Sequence, residues 1–256
     1  MTVHSTNDHQ PPDLDLDSNS EIWAVIEREV PRRLLVSALS AFAARGFHAA
    51  TTREIGEGAG LSAAGVYVYF KSKNDLLYEI CRLGQQASLD DTEAALEAAT
   101  DDSVERLHAY VSAHTRWHCE HHTLARVIQY EFRALPTQQH RSLVPLRNRF
   151  EQRMRETLKA GVTQGVFDVP DLQATTLAIL SLSIDLARWY QPGVGQSPLA
   201  VSELYAELVL RMVGAPSSGR LQAVQSTTPS LPASSSPSSN LFHTTPNGAQ
   251  EPSARY

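Results

Sequence analysis

Cysteine is scarce: Cys81 and Cys119 are the only two in 256 residues. That excludes a disulfide framework and any CxxC-type metal site. No run reaches the roughly 18 apolar residues of a membrane span. The first twenty residues hold four Asp and no Lys or Arg, the opposite of a secretory leader. A cytoplasmic protein without a membrane role is expected. Nucleophile elbow, dinucleotide fingerprint and zinc spacing are all missing, so neither an enzyme nor a cofactor or metal is expected. The glycines at 56, 58 and 60 do not form a GxGxxG loop, because Leu61 stands where the third glycine would be and no strand precedes them.

What is present is a mean hydropathy of −0.27 and 42% hydrophobic residues, the profile of a globular chain. The net charge is −6, yet residues 31–80 carry six basic residues against four acidic ones, so that stretch is locally basic. Both ends are polar. Residues 1–20 are acidic and 215–256 are rich in Ser, Pro and Thr, and disorder is expected in each. The remainder reads as helix almost throughout, about nine helices and no strand, an all-α fold. The expected division is 21–80 for one domain and 81–214 for a second.

Within PRRLLVSALSAFAARG, Leu34, Leu35, Ala38, Leu39 and Phe42 form one stripe, and Gly46 ends the helix. The next stretch, TTREIGEGAGLSAAGVYVYFKSKNDLL, alternates β-branched and aromatic residues in its middle as a strand would. No partner strand is available, however, and helix starts flank it. Three short helices at 52–59, 63–69 and 73–80 fit better, with Thr51 or Thr52 as an N-cap, Glu54 completing a capping box, and Gly60-Leu61-Ser62 as a turn. Ile55, Ala59, Leu61, Val66 and Phe70 can then pack together. Ala63, Ala64, Gly65, Tyr67, Val68 and Tyr69 are left facing outward or sideways. Gly65 costs about 1 kcal/mol of helix propensity relative to Ala. Small side chains and tyrosines on an exposed face suit a helix pressed into a DNA groove. Lys73, at the start of the following helix, is placed for a phosphate.

Thr52, Ile55, Ala59, Gly60, Leu61, Ser62, Val66, Tyr67, Tyr69, Phe70, Ser72, Lys73 and Leu76 follow, at fixed spacing, the pattern of the helix-turn-helix of TetR-type regulators. The stretch closely resembles that family over about 32–80. The resemblance implies phosphate contacts from Thr52, Tyr67, Tyr69 and Lys73. It implies base-edge contacts from Arg53, Ala63, Ala64, Gly65 and Val68. Tyr69 stands where the family more often has His, and Gly65 sits one residue before the usual register. Few side-chain donors remain, so readout falls to Arg53, thymine methyls and DNA shape. The resemblance further implies a helical ligand-binding and dimerisation domain, a homodimer through 171–190 and 199–213, and repression of a palindromic operator relieved by a small effector.

In HAYVSAHTRWHCEHH, His114, His118 and His121 fall on one helical face with Tyr110 and Trp117. They could line a half-polar pocket, pack within the core, or form a metal-responsive cluster. Tyr130 and Arg133 precede a helix break and are candidate pocket residues. QGVFDVPDLQ and SIDLARWYQPG resemble a subgroup of TetR-type regulators tied to lipid, fatty-acid or steroid breakdown in actinobacteria, several of which answer to acyl-CoA thioesters. Arg188 and Trp189 would suit such a ligand, one for its anion and the other for an apolar or adenine face.

Overall fold

The computed structural model describes residues 20–215. The two ends expected to be disordered lie outside them, apart from Ser20 and Ala215 themselves. Among the described residues there is helix and no strand. The short α1 (Ser20–Ala24) drops Ile22 and Trp23 onto the core. Next comes α2 (Glu29–Ala49), which buries Leu34, Leu35, Ala38, Leu39 and Phe42, the stripe read from the sequence. Gly46 breaks its helical backbone with φ 76° and ψ 161°, a conformation that favours glycine.

α3 (Thr52–Gly58) and α4 (Ala63–Tyr69) form the helix-turn-helix. Thr51 accepts from the Glu54 N–H while Glu54 accepts from the Thr51 N–H (3.0 Å), so the capping box is complete. Gly60 takes φ 72° at the turn, and the Leu61 N–H reaches back to the Gly56 carbonyl at 2.8 Å. Ser62 caps α4 through the Gly65 N–H. Ile55, Ala59, Val66 and Phe70 are buried together, with Leu61 half-buried against them.

α5 (Lys73–Ala98) does not stop at 80. It runs straight through the expected domain boundary, so head and body share one helix. Ser72 caps it through the Asp75 N–H. The body continues with α6 (Ser103–Glu120), α7 (His122–Glu131), a 3-10 turn at Phe132–Ala134, and α8 (Thr137–Thr163). The expected 171–190 helix is divided at Asp185 into α9 (Leu172–Ile184) and α10 (Leu186–Trp189). α11 (Pro198–Met212) closes the body against α6. The extra α1 and the divided ninth helix account for the difference from the nine expected.

Two large apolar cores result, beside a small third one of Cys119, Leu186, Tyr190 and Val201. The upper one joins the head to Trp117, Leu124, Ala125, Val127 and Phe132 of the body, and the lower one gathers Leu89, Tyr110, Phe150, Met154, Leu180 and Val209. Arg149 and Arg153 of α8 both grip Glu93 of α5 at 2.8–3.0 Å, and the Tyr110 hydroxyl donates to the Phe150 carbonyl at 3.0 Å. On α11 the apolar side expected to pair with a second copy stays largely open in the single chain. Val201 is buried, but Leu204 and Tyr205 are only half-buried and Leu208 and Met212 are each 45% exposed. The face buried in the chain's own core is Val201, Ser202, Ala206, Glu207, Val209 and Leu210.

Candidate DNA-reading face and effector cleft

None of the nine expected DNA contacts is buried. On α4, Val68 is 77% and Tyr67 52% exposed, with Ala64 exposed beside them and Ala63 and Gly65 half-buried. An apolar side chain as open as Val68 contributes nothing to the core. A Cβ on Gly65 would meet only ordinary contacts, the nearest Leu61 Cβ at 3.4 Å, so packing does not require glycine there. The Tyr67 hydroxyl lies 3.3 Å from Thr52 Oγ1, which sets the two expected phosphate contacts side by side. Arg53 is exposed and pairs with Glu57 one turn on at 2.9 Å. Tyr69 leans back toward Arg28, whose guanidinium lies 5.5 Å from the ring, a basic neighbour that the sequence pattern did not single out.

Lys73 has a different task. Its ammonium donates to the carbonyls of Phe47, His48 (3.2 Å) and Ala50 (2.7 Å), at the C-terminal end of α2. All three donors are used on carbonyls that the ended helix leaves without partners. The expected phosphate contact of this side chain is therefore corrected: Lys73 ties α5 to α2.

In the body a cleft of about 230 Å³ opens at the seam between the two cores. α5 contributes Gln85 and Ser88, α6 His114, Trp117 and His118, and α7 Ala125, Ile128 and Gln129. α8 adds Arg147, Asn148, Phe150 and Glu151, and α9 adds Leu177, Leu180, Ser181 and Ile184. Gly84 lets α5 come this close to α7, since a Cβ there would sit 2.5 Å from Ile128 Cδ1. The His114 and His118 rings meet edge to face at 4.5 Å, and His118 Nδ1 lies 2.7 Å from the His114 carbonyl. Burial holds both imidazoles neutral: His114 lies well below the ordinary range, and His118 is lowered to about 4.

Three of the nine expected pocket residues, His114, Trp117 and His118, line this cleft. The other six do not. Tyr110 is fully buried beneath it. His121 faces a separate groove between α1, α5 and α6. Tyr130 lies in a groove near Gly46, and Arg133 is exposed. Arg188 points outward in a two-bonded pair with Asp185 at 2.8 Å, and Trp189 is 45% exposed. Helical spacing placed the three histidines on one face, but the helix ends at Glu120, so His121 leaves the row. Among the described residues no three His, Cys, Asp or Glu side chains converge as a metal site. The residues missed, such as Ser88 and Arg147, come from helices far apart in sequence.

A helix-turn-helix head with an open, small-residue reading helix, set on an all-helical body with a cleft, defines a DNA-binding regulator of transcription. Residues 34–80 match the family described as bacterial regulatory proteins, tetR family. Residues 100–213 match the tetracyclin repressor-like C-terminal domain. The HTH-type transcriptional repressor KstR2 of Mycobacterium tuberculosis is 30% identical over 180 residues, covering 69% of this chain and 89% of that protein. A tetR-family regulatory protein from Rhodococcus RHA1 is 34% identical with a TM-score of 0.69, covering 74% of this chain and 99% of that one. AibR, solved with isovaleryl coenzyme A and operator DNA, shares the fold at 17% identity and a TM-score of 0.65, over 73% of this chain and all of AibR. The chain belongs to the TetR family: it is a transcriptional regulator and not an enzyme.

Proposed function

We propose that the chain is a homodimeric repressor that leaves a palindromic operator when an apolar or acyl-CoA-type effector enters the cleft. The exposed Ala64, Tyr67 and Val68 face carries the DNA half of this reading, since the fold has no other use for it. Thr52, Tyr67 and Tyr69 take phosphates, and Arg53, Ala63, Ala64, Gly65 and Val68 meet base edges. Dimerisation is supported by the exposed Leu199, Leu208 and Met212 of α11 and Leu182 of α9, an apolar surface that a second copy would cover. The KstR2 repressors among its relatives favour repression, and the isovaleryl coenzyme A bound to AibR favours a thioester.

The cleft is connected to the head. α5 carries Gln85 and Ser88 in the cleft and its first turn beside the reading helix. The Arg147 guanidinium stacks 4.5 Å from the Phe132 ring, and in the same 3-10 turn the Ala134 carbonyl accepts from Asn74 at 3.1 Å. Gln139 donates to Asp75 at 2.7 Å, and Arg126 of α7 donates to the Ala43 carbonyl at 2.9 Å. A ligand that separates the cleft walls thus moves both supports of the head, and it shifts the spacing of paired heads by favouring one arrangement.

The test is a gel-shift titration of the purified protein on the DNA flanking its coding region, repeated with acyl-CoA thioesters and their free acids. Saturable binding that resists competitor DNA and is lost with thioesters is expected. Specific binding that ignores every thioester would discard the effector class and keep the regulator.

A further inference from the structure

The cleft has a polar floor that the fold does not use. Ser88 is 3% exposed, and its hydroxyl has no hydrogen-bond partner. A buried helical hydroxyl can satisfy itself by donating to the carbonyl four residues back. Thr92 does so at 2.7 Å one turn later on the same helix, as do Thr157 at 2.9 Å and Thr176 at 2.6 Å. Ser88 does not, and neither does Ser103 in the first turn of α6, but of the two it is Ser88 that stands at the cleft. His114, 4% exposed, also lines the floor, packed against Tyr110, His118 and Phe150. A neutral imidazole offers one donor and one acceptor. Gln85 completes the floor, its amide N–H₂ spent on the Cys81 carbonyl at 3.0 Å.

This floor holds no formal charge, whereas the mouth does. Arg147 is exposed there, stacked on Phe132, with no carboxylate partner among the described residues. Glu151, the acidic residue at the cleft, is bound to Arg155 and Gln173 instead. The walls between are apolar: Trp117, Ile128, Phe150, Leu177, Leu180 and Ile184.

From this arrangement we infer that the effector is an amphipathic anion whose buried end carries a neutral oxygen, a hydroxyl or ketone, held by Ser88 and His114, with its charged end beside Arg147. The inference rests on the effector reading above and names the ligand's chemistry. An apolar end that lacks the oxygen leaves the Ser88 hydroxyl without a partner, the kind of loss by which sites built for hydrogen bonds reject deoxy analogues. In the empty protein the same unmet hydroxyl costs stability.

Octanoyl-CoA and 8-hydroxyoctanoyl-CoA, with the two free acids, provide the probes. Binding to the full chain is followed by quenching of tryptophan emission, since Trp117 lines the cleft, and by release of operator DNA. The hydroxylated probe should bind about tenfold or more tightly than its parent. Ser88→Ala should bring the two together, and Arg147→Gln should weaken both equally. The Ser88→Ala protein should also melt about 2–4 °C higher, because an unsatisfied hydroxyl has gone. Equal affinity of the two probes for the unaltered protein would overturn the floor anchor alone, as would a preference that survives Ser88→Ala. A lower melting temperature for Ser88→Ala would give the hydroxyl a structural partner and remove the argument. Failure of every probe to bind or to release operator would instead sink the effector-cleft reading, and the anchor with it. If free acids bind as well as thioesters the anion is the carboxylate, and if only thioesters bind it is the coenzyme phosphates; both outcomes uphold the anchor.

Discussion

Gly65 and Lys73 are eight residues apart, and they exchange the roles their residue types suggest. Gly65 has room for a methyl group and sits in a helix that would gain from it. Gly65→Ala should raise stability by about 0.5–1 kcal/mol in urea denaturation. It should also weaken operator binding, because backbone approach to the groove is lost. Unchanged affinity would remove Gly65 from the reading face. Lys73, the cation expected on DNA, is spent on three backbone carbonyls. Lys73→Met should cost about 2–3 kcal/mol of stability, since it leaves those carbonyls without a charged donor. The salt dependence of DNA binding by the folded variant should stay as it was. A slope reduced by about one ion would restore the phosphate role. Arg53→Ala, on an exposed side chain, should cost about 1–3 kcal/mol of operator binding and relax sequence preference, read by competition with altered operators.

At the scale of elements, the contact of α5 with α7 decides whether the cleft exists. Gly84→Leu would drive a side chain into Ile128 and Leu124. A loss of about 1–3 kcal/mol is expected from overpacking, and effector release should be impaired more than DNA binding. Equal loss of both would argue against a separate cleft. The paired histidines of α6 add a pH dependence. His118 is neutral in the fold with its pKa lowered to about 4, against an ordinary value near 6.5, so below that value the unfolded chain binds more protons. Stability should therefore fall as pH drops from about 6.5 toward 4, by on the order of 2 kcal/mol. His118→Gln should flatten that part of the curve in thermal melts. The same helix shows how far periodicity carries: it aligned His114, His118 and Trp117 correctly, but it could not show that α6 ends one residue before His121. Its partners in the cleft come from α5, α7, α8 and α9, and no local pattern links Ser88 to Arg147 or Leu180.

For the whole molecule, the apolar residues of α9 and α11 that the single chain leaves open set the expected assembly. Leu208→Glu with Met212→Glu should yield monomers in sedimentation or light scattering, with operator affinity down at least a hundredfold because two half-sites can no longer be held together. A dimer that survives both changes would move the interface elsewhere. The sequence pattern alone did not separate the two sides of α11, since a stripe of apolar residues reads alike whether it faces its own core or a second copy.

From the sequence by itself came the all-helical class, the capped helix-turn-helix with its glycine turn, and the face turned outward on α4. All of these rest on neighbours within a few residues, where spacing, capping and φ preference are local matters. Tertiary structure alone decided that α5 would join head to body, that Lys73 would face carbonyls and not solvent, and that Arg188 would point away from the cleft. It also brought Ser88, His114 and Arg147 to one cavity. Those outcomes depend on which helices pack together and at what distance, a balance of burial and close contact summed over the whole chain that no short stretch contains.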